Sequence, residues 1–191
     1  MSGLLVNLLR GASASGTSSA APTMRAGVLF GIPQGDTPGT STPSLNSLAA
    51  SPMELPAVTL DRIGIEVTTG GGAGAVVRLG IYSDTNGVPD ALVLDAGTVD
   101  STGTGIKTIT ISQALSAGVY WLATVSQVAT SVVRTVNGGP GRIAIADNAF
   151  SGTFSLNGYS ASAAASGALP ASFGAIGQGV ASAPRVLLRR T

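Results

Sequence analysis

Between Leu60 and Val125 apolar residues alternate with polar or small ones, and turn signals return about every ten residues. In Ile63-Gly64-Ile65-Glu66-Val67-Thr68 the odd positions are apolar, and the same parity returns in Val77-Arg78-Leu79-Gly80-Ile81-Tyr82. Successive side chains of an extended strand point to opposite faces, so each segment reads as a β-strand with one oily face and one wetter face. The link Thr69-Gly70-Gly71-Gly72-Ala73-Gly74 accepts positive φ at several places, and the two strands are expected to form a hairpin across it. Glu66 and Arg78 would then face each other on its solvent side as an ion pair worth about 0–1 kcal/mol.

The apolar parity of Val58, Leu60, Ile63 and Ile65 switches across Asp61-Arg62, which predicts a β-bulge or a strand break there. Further strands are expected over residues 91–99, 106–111, 119–125 and 132–136, with weaker signals at 142–146, 150–156 and 184–190. Asn86-Gly87 supplies a turn, and Pro89, which has no N–H to donate, is kept out of a central strand. No long amphipathic helix pattern appears. Short strands at this spacing predict an all-β chain, an antiparallel β-sandwich of jelly-roll-like form.

The N-terminal part follows a different pattern. Leu4, Leu5, Val6, Leu8 and Leu9 form an apolar stretch, but Asn7 interrupts it and Arg10 follows it, so it is not a secretory signal. No apolar run approaches the ~18 residues of a spanning helix, and no membrane partner is expected. Residues 11–21 are Gly, Ala, Ser, Thr and little else and read as a linker; 24–32 reads as one strand. From Pro33 to Pro52, with Pro38 and Pro43 between, the chain reads as extended arm or loop. This divides the chain into an arm, 1–52, and a sandwich, 53–191. An arm of this composition cannot bury enough of its own surface to offset an ordering cost of about 1–2 kcal/mol per residue. It is therefore expected to be ordered between subunits, with Leu4, Leu5, Leu8, Leu9, Val28, Leu29, Phe30 and Ile32 as the assembly contacts.

Composition narrows the function classes. Charged residues are only 10% of the 191, and mean hydropathy is +0.41, too apolar for a disordered chain and enough for one domain with a core. The net charge is +1, with the basic residues spread thinly, so there is no basic stripe for phosphates and no nucleic-acid partner is expected. The chain has no Cys and no His, which removes thiolate nucleophiles, Ser-His-Asp triads and the usual transition-metal ligands. No catalytic residue, metal or cofactor is expected.

Each local motif has a structural reading beside the chemical one. Gly70-Gly71-Gly72-Ala73-Gly74-Ala75 fits a dinucleotide-loop spacing, but the β-branched, alternating run that follows is not the helix such a loop must open. Asp84, Asn86, Asp90 and Asp95 imitate a calcium loop loosely; Val88-Pro89 falls where ligands should continue, and a turn held by Asp and Asn side chains is the simpler reading. Tyr120-Trp121 is the one adjacent aromatic pair. Exposed, it would give flat faces for sugars, and buried, it would fill the core.

The segments Leu60-Asp61-Arg62-Ile63-Gly64-Ile65-Glu66-Val67-Thr68-Thr69, Val77-Arg78-Leu79-Gly80-Ile81-Tyr82-Ser83-Asp84, Gly87-Val88-Pro89, Leu92-Val93-Leu94-Asp95-Ala96-Gly97 and Ala117-Gly118-Val119-Tyr120-Trp121-Leu122-Ala123 resemble, as a set, a β-sandwich module of tailed-bacteriophage and prophage virion proteins. Tail-fibre, minor tail and head-decoration proteins carry it. The resemblance covers residues 60–127, with a weaker echo at 168–174 and 184–189, and brings no catalytic motif. It implies a non-enzymatic virion structural protein, capsid-decorating or tail/fibre-associated, that docks through its N-terminal arm onto other virion proteins and onto itself as a homotrimer. The alternative from another class is a module that binds a host-surface glycan, with Tyr120 and Trp121 as the sugar contacts.

Overall fold

The computed structural model describes residues 25–31, 39–136, 157–180 and 182–191. Its strand β4 (Val58–Thr69) grows from the alternating segment that begins the sequence pattern. Leu60, Ile63, Ile65 and Val67 turn inward and are buried, and the pairing register slips between Leu60 and Arg62. On the other flank Arg189 pairs with Arg62 and Arg190 with Leu60, which leaves Asp61 as the extra residue of a β-bulge, and the apolar parity switches there because one added residue moves every later side chain to the other face.

β4 is the spine of the first sheet. β7 (Gly105–Leu115) pairs along one edge of it, while β13 (Val186–Arg190) and the start of β9 (Val132–Val136) share the other. β1 (Leu29–Gly31) lies outside β13, and β2 (Gly39–Ser41) and β12 (Ala183–Pro184) flank β9. The second sheet runs in the order β11 (Ile176–Val180), β10 (Gly158–Ala164), β3 (Ser47–Leu55), β8 (Gly118–Gln127), β5 (Val76–Thr85) and β6 (Val88–Asp100). All these strand pairs are antiparallel, and no helix occurs among the described residues. The architecture is a β-sandwich. Its main core lies between the sheets, built on Leu55, Leu60, Ile63, Ile81, Leu122 and Leu188.

A second core lies on the outer face of the second sheet, where Leu48, Tyr82, Trp121, Val125, Leu169 and Phe173 pack together. Leu169 and Phe173 come from the segment 165–175, which crosses that face. Gly80 makes the crossing possible: a Cβ there would collide with the Leu169 side chain and stand 2.6 Å from the carbonyl oxygen of Leu94.

Two expectations need correcting. The strands on either side of the glycine run do not form a hairpin; β4 and β5 belong to different sheets, and residues 70–75 carry the chain from one to the other. The hairpin partner of β5 is β6, through Asn86 and Gly87 at φ 55° and 80°, as a two-residue primed turn requires. Pro89 then falls on β6, which is an edge strand. The boundary drawn at residue 52 also fails, because it falls inside β3, a strand held between β10 and β8 with Leu48, Ala49, Ala50 and Ser51 buried. Pro52 is tolerated there since the pairing with β10 reaches only to Ala50, so the missing N–H breaks no ladder on that flank.

The strand read at 24–32 is shorter than expected, β1 alone. The candidate strands at 142–146 and 150–156 lie outside the described residues, as do Leu4, Leu5, Leu8, Leu9 and Ile32.

Candidate functional site

Tyr120 and Trp121 are neighbours on β8, so their side chains point to opposite faces of the second sheet. Trp121 is 1% exposed in the outer core; its ring stacks on Tyr159 with centroids 5.6 Å apart, and Nε1 donates to Asp84 Oδ1 at 2.7 Å. Tyr120 is half-buried, packs against the core between the sheets, and donates its hydroxyl to the carbonyl oxygen of Ser116 at 3.0 Å. The exposed pair of rings that a sugar platform needs is not formed. β8 is a central strand covered on both faces, so Trp121 is a core residue.

The acids around the Asn86-Gly87 turn hold the backbone. Asp84 Oδ2 accepts from the Gly87 N–H at 3.2 Å, and Asp90 Oδ2 accepts from the Thr85 hydroxyl at 2.9 Å. Asp95 does more. Arg78 Nε reaches Oδ1 and Oδ2 at 2.8 and 3.0 Å, Arg78 Nη2 reaches Oδ2 at 2.8 Å, and the backbone N–H groups of Gly97 and Leu169 donate at 3.1 and 3.0 Å. Burial acts to raise the Asp95 pKa, but these donors outweigh it and hold the carboxyl below its ordinary value. Nearby, Tyr82 donates its hydroxyl to the carbonyl oxygen of Pro170 at 2.9 Å, and its ring meets Phe173 edge-on at 5.4 Å. Burial, and then the charge of Asp95, push its phenol pKa well up. The segment 165–175 is thus fastened by a charge-assisted bond and a buried tyrosine.

A second group of charges lies on the outer face of the first sheet. Glu66 accepts from Arg134 at 2.8 and 3.1 Å and from Arg185 at 2.9 Å, and Asp61 accepts from Arg189 at 2.9 and 2.6 Å. The Arg134 hydrogen bonds are the main reason that the Glu66 pKa is lowered, and those of Arg189 do the same for Asp61. The expected Glu66–Arg78 pair does not exist, because the two residues sit in different sheets and each has a nearer partner.

Among the described residues no group of three or more His, Cys, Asp and Glu is placed to hold a metal, and no helix is long and apolar enough to cross a membrane. A shallow depression of about 390 Å³ opens beside Val58, Thr59, Ala114, Leu115, Arg190 and Thr191, and no carboxylate side chain lines it. Of the expected assembly contacts, Val28 is exposed at 46%, while Leu29 and Phe30 pair with Arg189 and Leu188 of their own chain. Phe30 also packs against the core between the sheets, so it serves its own domain.

Sequence reasoning missed Arg134, Arg185, Leu169 and Phe173 as partners. One signal was present: Tyr82 and Trp121 fall on the parity opposite to Ile81 and Leu122, which marks both faces of the second sheet as covered. The chain matches no protein-family model, no curated protein and no solved structure.

Proposed function

We propose that the chain is a non-enzymatic structural protein of a tailed-bacteriophage virion, associated with the capsid surface or with the tail and its fibres, that displays a β-sandwich on the particle. The reading starts from the resemblance of residues 60–127 to the virion module, with its weaker echo at 168–174 and 184–189. The observation that carries it is the occupancy of the carboxylates: Asp61, Glu66, Asp84 and Asp95 are each held by an arginine, an indole or backbone N–H groups, and all serve to join strands. A general acid or base needs an oxygen turned toward a cavity that admits substrate. Here the acids are used as braces, which suits a display scaffold. The glycan-binding alternative loses its platform with the burial of Trp121.

Density-purified particles from a lysogen or infected culture carrying this sequence test the reading. The chain is expected in their peptide mass spectrum at a stoichiometry matching a multi-copy component, and antibody-gold label against the sandwich is expected on intact particles. Particles purified from a culture that expresses the chain, yet containing none of it, would overturn the assignment.

A further inference from the structure

A sheet edge is a row of unpaired backbone N–H and C=O groups, and natural proteins protect long edges with charges, proline, bulges or a covering segment. β6, the long edge of the second sheet, has these protections. It carries Pro89, Asp90, Asp95 and Asp100, its register against β5 slips at three places, and residues 171 and 173 bond to its start through Leu92 N–H to Ala171 O at 2.9 Å and Phe173 N–H to Asp90 O at 2.7 Å. β1 is only three residues long, and β11 is five residues with Gly177 and Gly179 in it. β7 has fewer of these protections: one charge, Lys107, on its half-buried row, and one slip of register against β4, where Ile111 and Ser112 stand opposite Asp61. It runs eleven residues, holds no proline, and among the described residues pairs with β4 alone. Its outward row, Ile106, Thr108, Thr110, Ser112 and Ala114, is exposed and uncharged, and Ile106 is 57% exposed.

The order of residues along β7 identifies the occupant. Thr110 is the middle residue of Gly105–Leu115, so a twofold axis through it, perpendicular to the sheet, brings the whole strand antiparallel to a second copy of itself. On the outward row that register sets Ile106 beside Ala114, Thr108 beside Ser112 and Thr110 beside Thr110. These are apolar and hydroxyl pairs of the kind that stabilise neighbouring strands. On the half-buried row Ile109 meets Ile111, and Lys107, the one charge on the strand, meets Gln113 instead of its own copy. No like charges oppose, and the most exposed apolar side chain of the strand gains a neighbour.

We infer that β7 is a homodimerisation edge, joining two copies antiparallel about Thr110 so that the first sheet runs continuously through both. Strands of this length, roughly 37 Å at about 3.4 Å per residue, would exchange about ten backbone hydrogen bonds. The joint produces even-numbered assemblies in place of the trimer that the phage resemblance implies. It goes beyond the virion reading, since it concerns the purified chain with no particle present.

Light scattering coupled to size exclusion on the full chain is expected to give twice the 18.7 kDa of one copy. Thr110 is exposed, so Thr110→Lys and Thr110→Asp should each fold, with wild-type circular dichroism and a cooperative melt. Each alone sets like charges against each other across the axis and should run as a monomer, and an equimolar mixture should return to the dimer mass. A wild-type monomer or trimer, a Thr110→Lys protein that remains dimeric, or a mixture that stays monomeric would each overturn the inference. Misfolded variants cannot mimic the rescue.

Discussion

The backbone N–H of Leu169 donates to Asp95 Oδ2 at 3.0 Å, a bond between residues 74 positions apart. Through it the segment 165–175 is held against the outer face of the second sheet, and Arg78, bound to the same carboxylate, keeps the acceptor charged. One acid thus links β5, β6 and the covering segment, and what happens to that acid is measurable.

Asp61, Glu66 and Asp95 all have folded pKa values below their ordinary ones. As pH falls, the unfolded chain takes up protons first, near pH 4, and the folded chain follows only at lower pH. Stability is therefore level at neutral pH and declines as the solution is taken from about pH 5 toward pH 2. Replacement Asp95→Asn should cost about 1–3 kcal/mol at pH 7, by weakening the Arg78 and Leu169 bonds, and should make the acid decline shallower. Urea midpoints at pH 7 and at acid pH measure both effects; an acid decline as steep as wild type would remove Asp95 from the account.

Trp121 is the sole tryptophan, so intrinsic fluorescence reports its site alone. A ring that is 1% exposed should emit at short wavelength and resist acrylamide until the chain unfolds, when the emission moves to the red. Sugars should leave the spectrum unchanged. Trp121→Ala should cost about 3–5 kcal/mol, the range for removing a large buried ring, and ready quenching of the native protein would contradict the burial.

Gly80 and Leu169 compete for the same space. Gly80→Val should destabilise by about 1–3 kcal/mol through overpacking, and less in a Leu169→Ala background, where the obstructing side chain is gone. A double-mutant cycle by thermal or urea unfolding gives the coupling. Additive effects would show that the cost of a side chain at position 80 arises from a neighbour other than Leu169.

Deleting residues 1–52 removes Ser47–Pro52 from β3, along with the buried Leu48, Ala49 and Ala50. A sheet cut between β10 and β8 leaves open strands on both sides of the gap, so the truncated chain should be insoluble or lack a cooperative melt. A soluble sandwich with a sharp transition would show that β3 is dispensable.

Local chemistry was legible along the chain. Period-two alternation determined that the chain is all-β, because side-chain direction in a strand depends only on the backbone. The parity switch located the bulge at Asp61, Asn86-Gly87 located the β5–β6 turn, and the strand expected over 132–136 has the bounds of β9. β3 was not legible, since Ser47-Leu48-Ala49-Ala50-Ser51-Pro52 is small and ends in a proline that reads as loop until the missing β10 partner beside it is seen. Which strands pair, and which charges meet, was decided only by the tertiary structure. Glu66 finds Arg134 and Arg185 at separations of 68 and 119 residues, and nothing in the residues around it distinguishes them from the nearer Arg78. A glycine link permits a hairpin and a crossing between sheets equally well. The crossing is selected because it lets Ile63 and Ile65 of one sheet and Leu79 and Ile81 of the other bury their faces in a single core.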